Sequence, residues 1–209
     1  MLKFSGLYVV TPDWDDTDKL LSATESALMG GAQLVQYRHK TANATLRIEQ
    51  AEALLSMCRK YDVPLIINDH VDVCLAIGAD GVHVGGTDQS VAMVRDVVGP
   101  DKIVGASCYG TFDLALQAQA DGASYVAFGG FYPSRVKKYD FVTPIEIVAQ
   151  AKAALTVPVV VIGGMTQTNA APLVQAGADM VAAISSVYMA DDVAAAANAF
   201  VEMIEDERS

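Results

Sequence analysis

Cysteine is scarce here and badly placed for pairing. Cys58, Cys74 and Cys108 are an odd number with no close spacing, which fits neither a disulfide framework nor a cysteine-based zinc site. A reducing compartment is the simplest setting, so the expected location is the cytoplasm. Basic charge is also short: 14 Lys and Arg stand against 25 Asp and Glu, a formal balance of −11. With no long Lys/Arg run, this argues against a nucleic-acid partner, whose binding depends on neutralising phosphates with a basic face. Long apolar runs are missing too, so neither a signal peptide nor a membrane span is expected, and no membrane partner. The Rossmann glycine fingerprint is absent where it belongs, because the segment after the first apolar run reads Thr11-Pro12-Asp13.

What the chain does have is apolar residues, 52% of the total, in a length that suits one large domain. Short runs rich in Val, Ile and Tyr alternate with longer Ala/Leu-rich segments, the pattern of repeated βα units around a parallel sheet. Eight strands are expected, at 6–10, 33–37, 65–68, 81–84, 102–106, 124–128, 159–162 and 180–184. Helical spacing marks the segments 18–29, 46–60 and 170–175 among others. Gly-Ala precedes the second, fourth, sixth and eighth strands, at Gly31-Ala32, Gly78-Ala79, Gly122-Ala123 and Gly177-Ala178. Glycine there ends a helix in the left-handed conformation before the chain turns into a strand. Pro64, Pro100 and Pro158 punctuate the odd-numbered joints. Eight such units predict a single-domain (β/α)8 barrel over 1–209, with an open doubly wound sheet as the alternative. In a barrel, chemistry belongs at the carboxyl ends of the strands.

Several polar segments meet that test. Gln36, Arg38 and Lys40 alternate along the end of the second strand and are expected to share a face. They read either as an anion clamp or as a solvated strand end. Asn68-Asp69 closes the third strand and Asp88 follows the fourth. Two carboxylates at neighbouring strand ends suit magnesium shared with substrate phosphates, while a helix cap and a turn residue are the plainer readings. The segment 129–138 is unusually basic for so acidic a chain. Of the 14 basic residues, five (Arg38, Lys40, Arg135, Lys137, Lys138) fall in two segments that a barrel brings to one mouth. That is the distribution of a focused site for a multiply charged anion. Gly163-Gly164 and Ser185-Ser186 follow the last two strands, where barrels often bind a phosphate, though both are also ordinary turn sequences. His39 is out of phase with Arg38, His70 follows Asp69, and His83 in its apolar strand reads as a hydrogen-bonded core residue rather than a catalyst. Ser107 ends the fifth strand and can donate one bond to an anion. No Ser-His-Asp or Cys-His grouping is visible, and Cys108 has no evident basic neighbour.

Taken in order, Leu7-Tyr8-Val9-Val10-Thr11, Val35-Gln36-Tyr37-Arg38-His39-Lys40, Ile66-Ile67-Asn68-Asp69, the stretch 78–85, Gly105-Ala106-Ser107-Cys108-Tyr109, Phe131-Tyr132-Pro133-Ser134 with Lys137, and Ile162-Gly163-Gly164 resemble the thiamine-phosphate synthase family over nearly the whole chain. The resemblance implies a (β/α)8 barrel and a transferase with a magnesium cofactor. Its substrates would be the small molecules hydroxymethylpyrimidine diphosphate and thiazole phosphate, its products thiamine phosphate and diphosphate. Matching positions imply that Gln36, Arg38, Lys40, Asn68, Ser107 and Lys137 contact the diphosphate substrate, Arg38, Lys40, Ser107 and Lys137 being the catalytic ones, and that Ser134 also binds substrate. Asp69 and Asp88 would hold the metal, and Gly164, Ile184 and Ser185 the thiazole phosphate. Val136 stands where the family usually has threonine. The alternatives are a thiazole tautomerase-like relative, which would not need the metal and diphosphate set, and a non-catalytic phosphate-ligand sensor. A phosphosugar epimerase would call for an acid/base pair that the sequence does not present. Oligomeric state is not readable from the sequence.

Overall fold

The computed structural model describes residues 4–85, 90–133 and 140–209. Strands β1 (Gly6–Val10), β2 (Leu34–Tyr37), β3 (Leu65–Asn68), β4 (Gly81–Val84), β5 (Ile103–Tyr109), β6 (Tyr125–Gly129), β7 (Val159–Ile162) and β8 (Met180–Ala183) pair in chain order. All neighbours are parallel, and β8 returns to β1 to close the barrel. The expected eight-unit barrel is therefore found, and the open sheet is not. Between the strands run helices α1 (Thr17–Met29), α2 (Ala44–Lys60), α3 (Val71–Ile77), α4 (Val91–Val98), α5 (Phe112–Ala120), α6 (Glu146–Ala154) and α7 (Gln167–Gln175). The short α8 (Ser185–Tyr188) and the longer α9 (Val193–Asp206) follow β8. Strand bounds agree with the sequence within a residue or so, except that β5 continues three residues beyond its expected end at Ala106. A register shift between Ser107 and Tyr109 accompanies that extension, and Tyr109 takes a left-handed φ of 52°.

The period-2 alternation of each strand divides the core in two. Outward residues such as Leu7, Val9, Val35, Ile67, Val82 and Val161 pack under the helices in one large cluster. Inward residues Tyr8, Val10, Leu34, Ile66, Ile103, Tyr125, Ala127, Val160, Met180 and Ala182 form a second cluster that fills the barrel. Continuing the inward phase upward gives Gln36 above Leu34, Asn68 above Ile66, His83 above Gly81 and Ser107 above Gly105. The barrel is thus apolar at its base and polar toward the carboxyl ends of β2 to β5. All four Gly-Ala glycines take positive φ, from 70° at Gly78 to 108° at Gly177, as the αβ-joint argument requires.

Candidate functional site

A cavity of about 510 Å³ opens at the carboxyl ends of the strands. One wall is polar, built by Gln36, Arg38, Asn68, His83 and Ser107 from β2 to β5 and the β2 loop. The opposite wall is apolar, from Val10, Ala127, Val160, Ile162 and Ala182, and the rim carries Gly163, Gly164, Thr166, Ile184, Ser185 and Ser186. Such a space suits a molecule with a planar apolar body and charged or polar groups on one side.

The β2 wall is held by the loop after β1. The Thr11 hydroxyl accepts from the Arg38 amide at 2.8 Å and lies 3.0 Å from the Arg38 carbonyl, to which it donates. Asp13 accepts from Arg38 Nη1 at 3.2 Å and from the Lys40 backbone amide at 2.9 Å. This leaves the other guanidinium donors for a ligand and fixes where the fork sits. His39 is buried away from the cavity, with Nδ1 accepting from the Ala42 amide at 3.1 Å and Nε2 3.0 Å from Asp15, so it ties the loop down instead of serving the site. The three-residue alternation expected for this segment holds only in part. Gln36 and Arg38 line the cavity, but β2 ends at Tyr37, and Lys40 stands exposed in a turn with Thr41 and is not among the lining residues.

At the end of β3, Asn68 lines the cavity and donates from Nδ2 to Asp69 Oδ2 at 2.7 Å. Asp69 has a left-handed φ of 62°. A non-glycine residue in this region costs free energy, on the order of 1 kcal/mol or more, and persists where the surroundings impose it. The plainer reading of Asp69 as a helix cap is not what forms: the N-cap of α3 is His70, with no side-chain cap bond. Among the described residues no group of three His, Cys, Asp or Glu is placed to hold a metal ion. Asp88, Ser134 and Lys137 lie outside the described residues.

Below Ser107 runs a buried chain of side chains that the sequence reading missed. Gln36 Nε2 donates to the Tyr8 hydroxyl at 2.6 Å, Tyr8 and Tyr125 hydroxyls are 2.7 Å apart, Tyr125 Oη meets His83 Nδ1 at 2.9 Å, and His83 Nε2 meets Ser107 Oγ at 2.9 Å. Burial drives both phenols well above their ordinary pKa, so each keeps its proton. The Tyr125 ring stacks on His83 with centroids 5.6 Å apart, in space left by Gly105, where a Cβ would run into that ring. The sequence signal was available: Tyr8, Gln36, His83, Ser107 and Tyr125 all sit at inward phase.

The β7 and β8 rim exposes backbone to the cavity. Gly163 and Gly164 have φ of 108° and 66°, and Gly164 passes so close to the Pro133 carbonyl that no side chain fits between. Asn169 closes a capping box with Thr166 at the start of α7 and donates to the Gly164 carbonyl at 2.9 Å. Ile184 is the N-cap of α8, again without a side-chain cap bond, and Ser185 and Ser186 open that turn beside the cavity. Their amides, like any first-turn N–H groups, have no acceptor within the helix.

A family model described as "Thiamine monophosphate synthase" matches residues 7–187. A thiamine-phosphate synthase from Janthinobacterium sp. (strain Marseille) is 67% identical over 198 residues, covering 95% of this chain and 96% of that protein. One from Thiobacillus denitrificans is 47% identical over 192 residues, covering 92% and 91%. Among solved structures, a thiamine phosphate pyrophosphorylase from Pyrococcus furiosus superposes with a TM-score of 0.87 at 32% identity, covering 99% of this chain and 98% of that one.

Proposed function

The chain belongs to the thiamine monophosphate synthase family and is a transferase of thiamine biosynthesis, a thiamine-phosphate synthase, and on that premise we propose which molecules meet at the barrel mouth and which residues act on them. The substrates are 4-amino-2-methyl-5-hydroxymethylpyrimidine diphosphate and a thiazole phosphate; the products are thiamine phosphate and diphosphate. The observation that carries this assignment is the gathering of Gln36, Arg38, Asn68, Ser107, Gly164, Ile184 and Ser185 around one cavity, from strands far apart in sequence.

The bond from the pyrimidine methylene to diphosphate breaks first. An electron-rich aminopyrimidine carries the resulting cation, and the thiazole nitrogen then attacks through a lone pair that needs no deprotonation. No general base is required, and among the described residues the cavity lining holds no carboxylate beside His83. The protein's task is to neutralise charge growing on the leaving group and to hold the partners in line. Arg38 supplies a forked donor, Ser107 and Asn68 supply single bonds, and Lys40 and Lys137 supply positive charge for the diphosphate. Ser134 adds a hydroxyl, and Gln36 meets the pyrimidine side of the cavity. Gly164, Ile184 and Ser185 receive the thiazole phosphate on backbone amides.

A magnesium ion fits the donor set on chemical grounds, since Asp69 is a hard oxygen donor held in a constrained backbone next to the Asn68 amide. Asp69 and Asp88 would hold it, and when bound it offsets negative charge on the departing diphosphate. The reading is tested by supplying both substrates and magnesium to the purified protein and assaying thiamine phosphate and diphosphate. Equimolar formation of the two is expected; thiazole isomerisation alone, or binding without turnover, would favour the tautomerase or sensor instead.

A further inference from the structure

The buried chain beneath Ser107 has a direction, and its direction determines what Ser107 can offer a ligand. Tyr8 and Tyr125 each carry one hydroxyl proton, and a neutral imidazole carries one N–H. Gln36 Nε2 donates to Tyr8 at 2.6 Å. Two arrangements then satisfy the remaining contacts. In one, Tyr8 donates to Tyr125, Tyr125 to His83 Nδ1, and His83 Nε2–H to Ser107 Oγ, so the serine proton is left to point into the cavity. In the other the remaining bonds reverse: Ser107 donates to His83 Nε2, Nδ1–H to Tyr125 and Tyr125 to Tyr8, which already accepts from Gln36, so the Tyr8 proton finds no acceptor in the row and the serine has no proton to give.

We propose that His83 is a positioning residue that aims the Ser107 hydroxyl at an anionic oxygen of the ligand, by donating from Nε2 to Ser107 Oγ while its Nδ1 accepts from Tyr125. An acceptor bound at Ser107 selects this arrangement, because only then do all members of the chain keep a partner. Beneath the half-buried Ser107 the row is buried, with Tyr125 fully so and His83 at 7% exposure, so a member there left unpaired has little water to turn to. No proton is transferred along the chain; each one keeps its owner and only the orientations are set. The inference rests on the reading that Ser107 meets the diphosphate group, and goes beyond it by assigning His83, Tyr125 and Tyr8 to the serine's orientation.

The test is long-range ¹⁵N–¹H NMR of histidine-labelled protein titrated with inorganic diphosphate and magnesium, with binding followed separately by calorimetry. Expected is binding, with His83 in a single tautomer, Nε2 protonated and Nδ1 bare. Binding with His83 protonated on Nδ1, or on both nitrogens, overturns this inference and leaves the functional reading standing. No binding of diphosphate at all overturns the functional reading and this inference with it. Kinetics add a second arm in folded variants: His83→Ala is expected to lower kcat by about tenfold, the value of one well-placed hydrogen bond. His83→Gln, whose amide reaches toward the Nε2 position, should recover most of that loss, and His83→Asn should not. Equal activity in all three would count against the positioning role.

Discussion

At the scale of single residues, the site separates groups that carry charge from groups that carry conformation, and Asp69 does both. Its carboxylate accepts from Asn68 while its backbone sits at a φ of 62°. Asparagine tolerates that left-handed geometry and nearly matches the shape, so Asp69→Asn removes charge with little change in backbone cost. Turnover is expected to fall by about a hundredfold or more, with the melting temperature unchanged and magnesium requirement shifted to higher concentration; steady-state kinetics across a magnesium series would show it. Near-normal turnover at low magnesium would overturn the proposal that Asp69 is a metal ligand. Arg38 makes a contrasting case. Its guanidinium is already oriented by Asp13 at 3.2 Å, so Arg38→Lys keeps a positive charge but loses the fork. The expected outcome is a KM for the pyrimidine diphosphate raised about tenfold, with a smaller effect on the thiazole phosphate.

At the scale of elements, glycines decide how closely the pieces of the mouth approach. Gly164 has a φ of 66° and lies against the Pro133 carbonyl, so Gly164→Ala brings both a strained backbone and a displaced neighbour. Loss of about 1–3 kcal/mol of stability is expected, with the KM for thiazole phosphate rising more than that for the pyrimidine diphosphate. Chemical denaturation and paired KM measurements check the two halves. The strand framework was readable in the sequence because parallel strands buried on both faces appear as apolar runs, and because Gly-Ala and proline mark the αβ joints. The polar rim at Gln36, Arg38, Asn68 and Ser107 was readable too, since inward phase at a strand end places a side chain in the mouth. What escaped was everything that depends on contacts between strands: the end of alternation at Tyr37, the Asp13 brace on Arg38, and the row from Gln36 to Ser107, whose members are up to 117 positions apart at the Tyr8–Tyr125 step. Periodicity gives the phase of each strand, but only register brings Tyr125 beside Gly105 and His83 beside Asn68.

At the scale of the whole molecule, closure of β8 onto β1 leaves the sheet without an edge, so no strand can peel away without opening the barrel. The three cysteines report on that cooperativity because they lie on different elements: Cys58 in α2, Cys74 in α3 and Cys108 in β5, all buried and unpaired. Burial pushes the Cys58 and Cys108 thiols up to about 12 and Cys74 to about 11. Raised thiol values keep the neutral, unreactive form dominant at pH 8, where neither access nor ionisation favours reaction with a disulfide reagent. Native protein should therefore show no rapidly reacting thiols, and urea should release all three together, at the midpoint seen by far-ultraviolet circular dichroism. If Cys74 reacted at lower urea than the other two, the seven-residue α3 would be opening on its own, and the barrel would be unfolding by parts.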